Sequence, residues 1–222
     1  MKNIYRPNQL KAIIAAAFIA GISNTQAANT LIDSVTRNGD FETGATAPWL
    51  GLSAVNNNAM FASHGQWFGV VTANPVGPLL RQYVSQNLSA TPAEGLAFSL
   101  TFDARTGATG FDRVEASLAG FNTNGAGVSA APNQIQWPAL TESAWGSYQI
   151  GFQLPQTWNG GGELLVQISF WKSGSVIGTT YTGFLDNIIL QQIPEPSAFV
   201  LCLTAGIIAT KQFIRRRSRK RQ

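Results

Sequence analysis

The chain has 222 residues and a formal net charge of +4. The charge is unevenly placed: residues 28–193 hold five basic residues (Arg37, Arg81, Arg105, Arg113 and Lys172) against ten acids, a net of −5. An acidic body excludes the nucleic-acid partner that the whole-chain charge would suggest. The single cysteine, Cys202, lies outside that segment, so the body has no disulfide and depends on its core, its hydrogen bonds or a metal.

In chain order, Lys2, Arg6 and Lys11 come first, followed by an apolar run over residues 12–22 and a polar stretch closing on Ala27. Eleven apolar residues are too few to span a hydrocarbon core of about 30 Å. A positive start, a short apolar centre and small residues at Thr25 and Ala27 predict a cleavable signal peptide over 1–27. Its partners would be the export machinery and signal peptidase.

The body, 28–193, reads as all-β. Short apolar or alternating runs are separated by Gly, Asn, Ser and Thr, and no helical period persists. The predicted strands cover 31–35, 67–72, 81–87, 97–104, 113–121, 146–154, 164–171 and 183–191. Alternation is clearest in Leu96, Phe98, Leu100 and Phe102, in Tyr148, Ile150, Phe152 and Leu154, and in Val166, Ile168 and Phe170. About eight such strands fit a two-sheet jelly-roll sandwich.

The two ends of the body carry recognisable runs. Asn38-Gly39-Asp40-Phe41-Glu42-Thr43-Gly44, followed by Trp49, resembles the opening of galactose-binding-like carbohydrate-binding modules. Gly183-Phe184-Leu185-Asp186-Asn187-Ile188-Ile189-Leu190 resembles their closing strand, and the segments at 82–88, 100–104 and 145–148 fall where such modules place core strands. The resemblance implies a fold, and a fold does not assign a ligand. It also implies that Glu42 and Asp186, with Asp40 beside them, are ligands of a structural Ca²⁺; turn-capping acids without metal are the other reading.

Catalytic chemistry finds little support in the body. Its one histidine, His64, reads as a solvated turn residue, no Gly-x-Ser-x-Gly surrounds a serine, and Cys-His chemistry has no cysteine to use. Among the tryptophans, Trp67 and Trp171 sit in strand patterns and read as core. Trp137 and Trp158 lie in or beside polar, Gly- and Pro-rich loops and are the candidates for stacking on a pyranose ring, although a buried loop plug is the commoner role.

The chain closes with Pro194-Glu195-Pro196, an apolar stretch over 197–214 and six basic residues between 215 and 221. As a helix that stretch rises ~27 Å, enough to span if Lys211 reaches the interface. The basic end then stays cytoplasmic and the body lies outside, which agrees with a signal peptide. A Pro-Glu-Pro motif, one span and an arginine-rich end, in that order, resemble the PEP-CTERM sorting signal. The resemblance implies recognition of Pro194, Glu195 and Pro196 by an exosortase-type enzyme and transient anchoring in the inner membrane. Transfer to the cell surface or extracellular matrix would follow. The expectation is an exported, noncatalytic surface or matrix protein contacting extracellular polysaccharide. A glycan-cleaving jelly-roll enzyme and a purely structural or adhesive component are the alternatives.

Overall fold

Alternating sequence becomes alternating burial throughout the computed structural model, which describes residues 28–132, 135–136, 140–159 and 163–194. Eleven strands form: β1 (Asn29–Ile32), β2 (Ala54–Asn57), β3 (Trp67–Ala73), β4 (Leu79–Ser89), β5 (Ala97–Thr106), β6 (Arg113–Phe121), β7 (Gly127–Ser129), β8 (Ile135–Gln136), β9 (Gly146–Gln153), β10 (Glu163–Ser173) and β11 (Tyr181–Ile193). A single 3-10 turn, Pro92–Glu94, interrupts them. Among the described residues no helix is long and apolar enough to cross a membrane.

The strands pair antiparallel into two sheets. Sheet A runs β2-β3-β11-β5-β9, with β1 on the far half of β11, and sheet B runs β4-β10-β6-β7, with β8 also on β6. This is the all-β, two-sheet jelly-roll sandwich that the alternation predicts. Seven of the eight expected strands are present within a residue or two of their expected ends. The first, expected over 31–35, runs instead over Asn29–Ile32, because Asp33 Oδ1 accepts from the Val35 and Thr36 amides and bends the chain there. The strands not expected are β2, β7 and β8, edge pieces of two to four residues that carry no apolar alternation.

One face of each sheet builds the core. Phe98, Leu100 and Phe102 of β5 and Ile150 and Phe152 of β9 meet Val84 and Leu88 of β4 and Leu164, Val166, Ile168 and Phe170 of β10 in one cluster of buried side chains. Each such side chain contributes about 1.5–3 kcal/mol on leaving water. Residues Ala28–Ile193 form one compact unit, and the cluster spans Leu31 to Leu190 within it, so this segment carries its own core.

The opening motif latches onto the closing strand. Register shifts between Asp186 and Ile189 of β11, with Asn187 at φ 49°. The Ile188 amide at this bulge donates to Gly39 O at 2.8 Å. A Cβ on Gly39 would lie 2.1 Å from Ile188 O, so only glycine fits there. Asn38 is buried and donates to Ala45 O (2.8 Å) and Ala47 O (3.3 Å), while its own carbonyl accepts from Trp49 Nε1 at 3.0 Å. Phe41 is fully buried, its ring 6.3 Å from that of Trp49.

Candidate functional site

The two outer faces of the sandwich are built differently. On sheet A, Asp103 of β5 and Asp186 of β11 stand opposite each other beneath the turn that precedes β3. Asp186 Oδ2 accepts from the amides of Ser63 (2.9 Å) and His64 (3.0 Å) and from Ser63 Oγ (3.0 Å), and its Oδ1 accepts from the Asn187 amide (2.8 Å). Asp103 Oδ2 accepts from the same Ser63 hydroxyl at 2.8 Å and from Asn187 Nδ2 at 3.3 Å, and its Oδ1 accepts from Ser147 Oγ at 2.6 Å. Burial pushes the Asp186 carboxyl up to about 6, against the His64, Ser63 and Asn187 hydrogen bonds that hold it down. Beside the pair lies a shallow pocket of about 270 Å³, lined by Thr101, Asp103, Ser147, Tyr148, Gln149 and Asn187.

The same turn is pinned from its other side. Glu42 Oε1 accepts from the amides of Gln66 (2.6 Å) and Trp67 (2.8 Å), and a Cβ on Gly65 would press 2.2 Å from that oxygen. Phe61 then wedges between Phe68, Phe184 and Trp145, with ring centroids 4.9, 5.0 and 6.2 Å away, and the Arg105 guanidinium lies 3.8 Å over its ring. Trp145 Nε1 donates to Phe61 O at 2.6 Å.

The expected calcium donors therefore have another use. Glu42 and Asp186 hold one turn by its amides, and Asp40 Oδ1 accepts from the Glu42 amide at 3.2 Å. An oxygen ringed by N–H donors sits in positive potential and is a poor cation ligand. Among the described residues no group of three or more Asp, Glu, His or Cys side chains gathers that could hold a metal. In this arrangement Glu42 Oε1 and both Asp186 oxygens are taken by N–H and O–H donors, which does not favour a calcium cage. The alternative of turn-capping acids describes what these residues do.

The outer face of sheet B carries a polar and aromatic array over which no such turn closes among the described residues. Register places Arg81, Trp171 and Arg113 side by side across β4, β10 and β6; the next row is Tyr83, Ser169 and Glu115, and the next is Ser85, Gln167 and Ser117. The Trp171 indole stands between the two guanidiniums, 4.4 Å from Arg81 and 5.0 Å from Arg113, and Arg81 also lies 4.5 Å over the Tyr83 ring. Glu115, fully buried, pairs with Arg81 Nη2 at 3.4 Å and Arg113 Nε at 3.3 Å. Arg81 Nη2 also donates to Ser169 Oγ at 3.3 Å. Tyr83 is 40% exposed, so a flat aromatic edge remains open beside these charges.

Two tryptophan assignments change. Trp158, a stacking candidate, is 1% exposed; its Nε1 donates to Phe121 O at 3.1 Å and its ring meets Phe98, so it plugs the core. Trp171, expected in the core, is on the outer face of sheet B, because β10 turns its odd-numbered side chains outward. Trp67 is half-buried and packs against the core. His64 is exposed in its turn, as expected. Trp137, Glu195 and Pro196 lie outside the described residues, of which Pro194 is the last. The array of Arg81, Tyr83, Arg113, Glu115 and Trp171 escaped sequence reasoning. Its members lie on three separate strands and only register unites them; the available signal was the odd-numbered parity of the charged and aromatic residues in those strands.

With this geometry in view, the chain can be set beside known proteins. No family model matches it, and no curated protein matches it. Solved structures do match. The CBM22-1 xylan-binding domain of Xyn10C from Paenibacillus barcinonensis is 15% identical, with a TM-score of 0.51 over 77% of this chain and 98% of that one. The tandem CBM22-1–CBM22-2 domain of the same protein gives 15% and 0.50, covering 78% of this chain and 48% of that one. The Stig cyclase Fisc from Fischerella sp. TAU, solved in complex with (3Z)-3-(1-methyl-2-pyrrolidinylidene)-3H-indole, is 19% identical, with a TM-score of 0.54 over 76% and 99%. At these identities the likeness is one of fold, and that fold carries both binding modules and a cyclase.

Proposed function

We propose that this is an exported, noncatalytic surface or matrix protein whose jelly-roll domain binds polysaccharide through the outer face of sheet B. The observation that carries the reading is the array on that face, over which none of the described residues closes. An exposed Tyr83 ring stands beside Arg81 and Arg113, with a partly exposed row of Ser85, Gln167 and Ser117 to meet sugar hydroxyls. The carbohydrate-binding modules of the same fold support it by analogy. The acidic pair on sheet A does not favour the hydrolase alternative, because Asp103 and Asp186 share one serine hydroxyl and hold a turn.

Export and sorting rest on the terminal sequences. The signal-peptide pattern of 1–27 and the Pro194-Glu195-Pro196 motif with its span and basic end support removal of both ends, the second by an exosortase-type enzyme. Binding is tested by affinity electrophoresis of the domain 28–193 in gels containing a panel of plant and bacterial polysaccharides. Retardation by at least one polymer, lost in Tyr83→Ala with Trp171→Ala, is the expected result; free migration through all of them overturns the binding reading. Processing is tested by mass spectrometry of protein extracted from the host surface, which should end near Pro194. A surface form that retains Arg221 overturns sorting.

A further inference from the structure

We infer that the ligand of this face is anionic: a polysaccharide bearing carboxylate or sulfate groups, taken up between Arg81 and Arg113. The inference rests on the polysaccharide reading above and names its substrate class. Two guanidiniums share one carboxylate, that of Glu115, and no other acid pairs with either of them among the described residues. Nor can the internal stretches 133–134, 137–139 and 160–162 outside the described residues supply one, because they contain no Asp or Glu. Arg113 engages Glu115 through Nε, which leaves the fork of its two terminal nitrogens for a planar anion. Both arginine side chains are reachable, at 26% and 30% exposed.

The surroundings add to the donor excess. Trp171 Nε1 and Arg81 Nε, both buried, find no acceptor among the described residues, so the unmatched hydrogen-bonding capacity beneath this row is all donor. Context makes the charge specific. The segment 28–193 is acidic overall, yet two of its five basic residues stand in one cross-strand row with an indole between them. The neighbouring Asp112 feels Arg113 as well as Lys172, whose Nζ holds it at 2.6 Å. Arg81, Arg113 and Lys172 against Glu115 and Asp112 leave one positive charge on this part of the face. A polyanion is repelled by the body at large and attracted at this row, which orients the ligand as well as binding it.

The test is isothermal titration of the domain 28–193, which carries the core and lacks the basic tail that would itself bind polyanions. Polygalacturonate, dextran sulfate, neutral xylan and poly-glutamate serve as probes, each at two salt concentrations. Binding to polygalacturonate or dextran sulfate at least tenfold tighter than to xylan, weakened by salt, is the expected result; whichever of the two is tighter assigns carboxylate or sulfate. Arg113→Gln should weaken that binding about tenfold, with Arg113→Lys intermediate. Glu115→Gln should strengthen it several-fold by removing the competing carboxylate, an effect that a purely structural ion network would not produce. Xylan bound as well as the acidic polymers, with the arginine variants unchanged, overturns the anionic assignment and leaves the polysaccharide reading standing. Poly-glutamate bound as tightly as the sugar acids also overturns it, as charge attraction without sugar recognition. Binding to none of the polysaccharides overturns both.

Discussion

The two outer faces of this sandwich each bury an acid, and they handle it in opposite ways. On sheet A, Asp186 meets only neutral donors, the amides and hydroxyl of the 63–64 turn, and those bonds close the turn down over the sheet. On sheet B, Glu115 meets two cations, and nothing among the described residues closes over them as the turn does over Asp186. A carboxylate held by backbone amides orders the protein itself. A carboxylate that only half-neutralises two guanidiniums leaves charge for something outside. Sequence changes on the first face should therefore cost stability, and changes on the second should cost binding.

The largest effect belongs to the wedge that closes sheet A. Phe61→Ala removes the ring that packs on Phe68, Phe184 and Trp145, and the cost should be about 3 kcal/mol, the low end for a phenylalanine because the residue is half-buried. Urea unfolding of the domain measures it. A loss of about 0.5 kcal/mol or less, the size of an ordinary surface change, would mean that the turn is not part of the cooperative fold.

A smaller effect comes from the acid beneath that turn. The folded Asp186 carboxyl holds its proton up to about 6, against 3.8 ordinarily. The folded state thus binds this proton more tightly than the unfolded state does. The resulting stabilisation is complete below about pH 4 and is lost as the pH rises through about 6. It amounts to roughly 1–3 kcal/mol, towards the lower figure once solvent screening is allowed for. Asp186→Asn, which keeps an acceptor and removes the charge, should flatten the stability-pH curve between those values. An unchanged curve in the variant would assign the slope to another group.

The core was legible because it is periodic. In β5, β9 and β10 the apolar residues alternate without a break, so the side facing the opposite sheet could be read directly. The opening and closing motifs were legible for a related reason: Gly39 and the Asp186–Asn187 bulge need particular backbone geometry, and that need shows as particular residues. Function was less legible. Glu42 and Asp186 carry the right atoms for calcium, but which donors surround an oxygen depends on a turn folded from residues 61–67, and spacing along the chain does not encode that. Trp171 and Trp158 exchanged roles for the same reason. A strand tryptophan can point either way, and a loop tryptophan beside glycines can fold inward as a plug.

The anchoring of the turn by Glu42 gives a third, smaller test. Glu42→Ala frees the Gln66 and Trp67 amides, which are exposed enough for water to replace the carboxylate, so the cost should be about 1 kcal/mol. Because the carboxylates face N–H donors, millimolar Ca²⁺ and chelator should give the same melting temperature for the wild-type domain. A rise of several degrees with Ca²⁺, abolished in Glu42→Ala, would restore the metal and require a rearranged turn.

The smallest stability change, and the one that best separates the faces, is Tyr83→Ala. Its ring is 40% exposed and packs against Arg81 from the solvent side, so its removal opens no cavity and should change unfolding by about 0.5 kcal/mol or less. The same change takes away the open aromatic edge of sheet B. If that edge meets a sugar ring, affinity for the bound polymer should fall on the order of tenfold, since one aromatic contact contributes about 1 kcal/mol or more. Affinity electrophoresis read beside a melting curve of the same sample measures both. A variant that melts normally and migrates with full retardation would move the binding surface off sheet B, and the shallow pocket at Asp103, Ser147 and Asn187 on sheet A would be the next place to look.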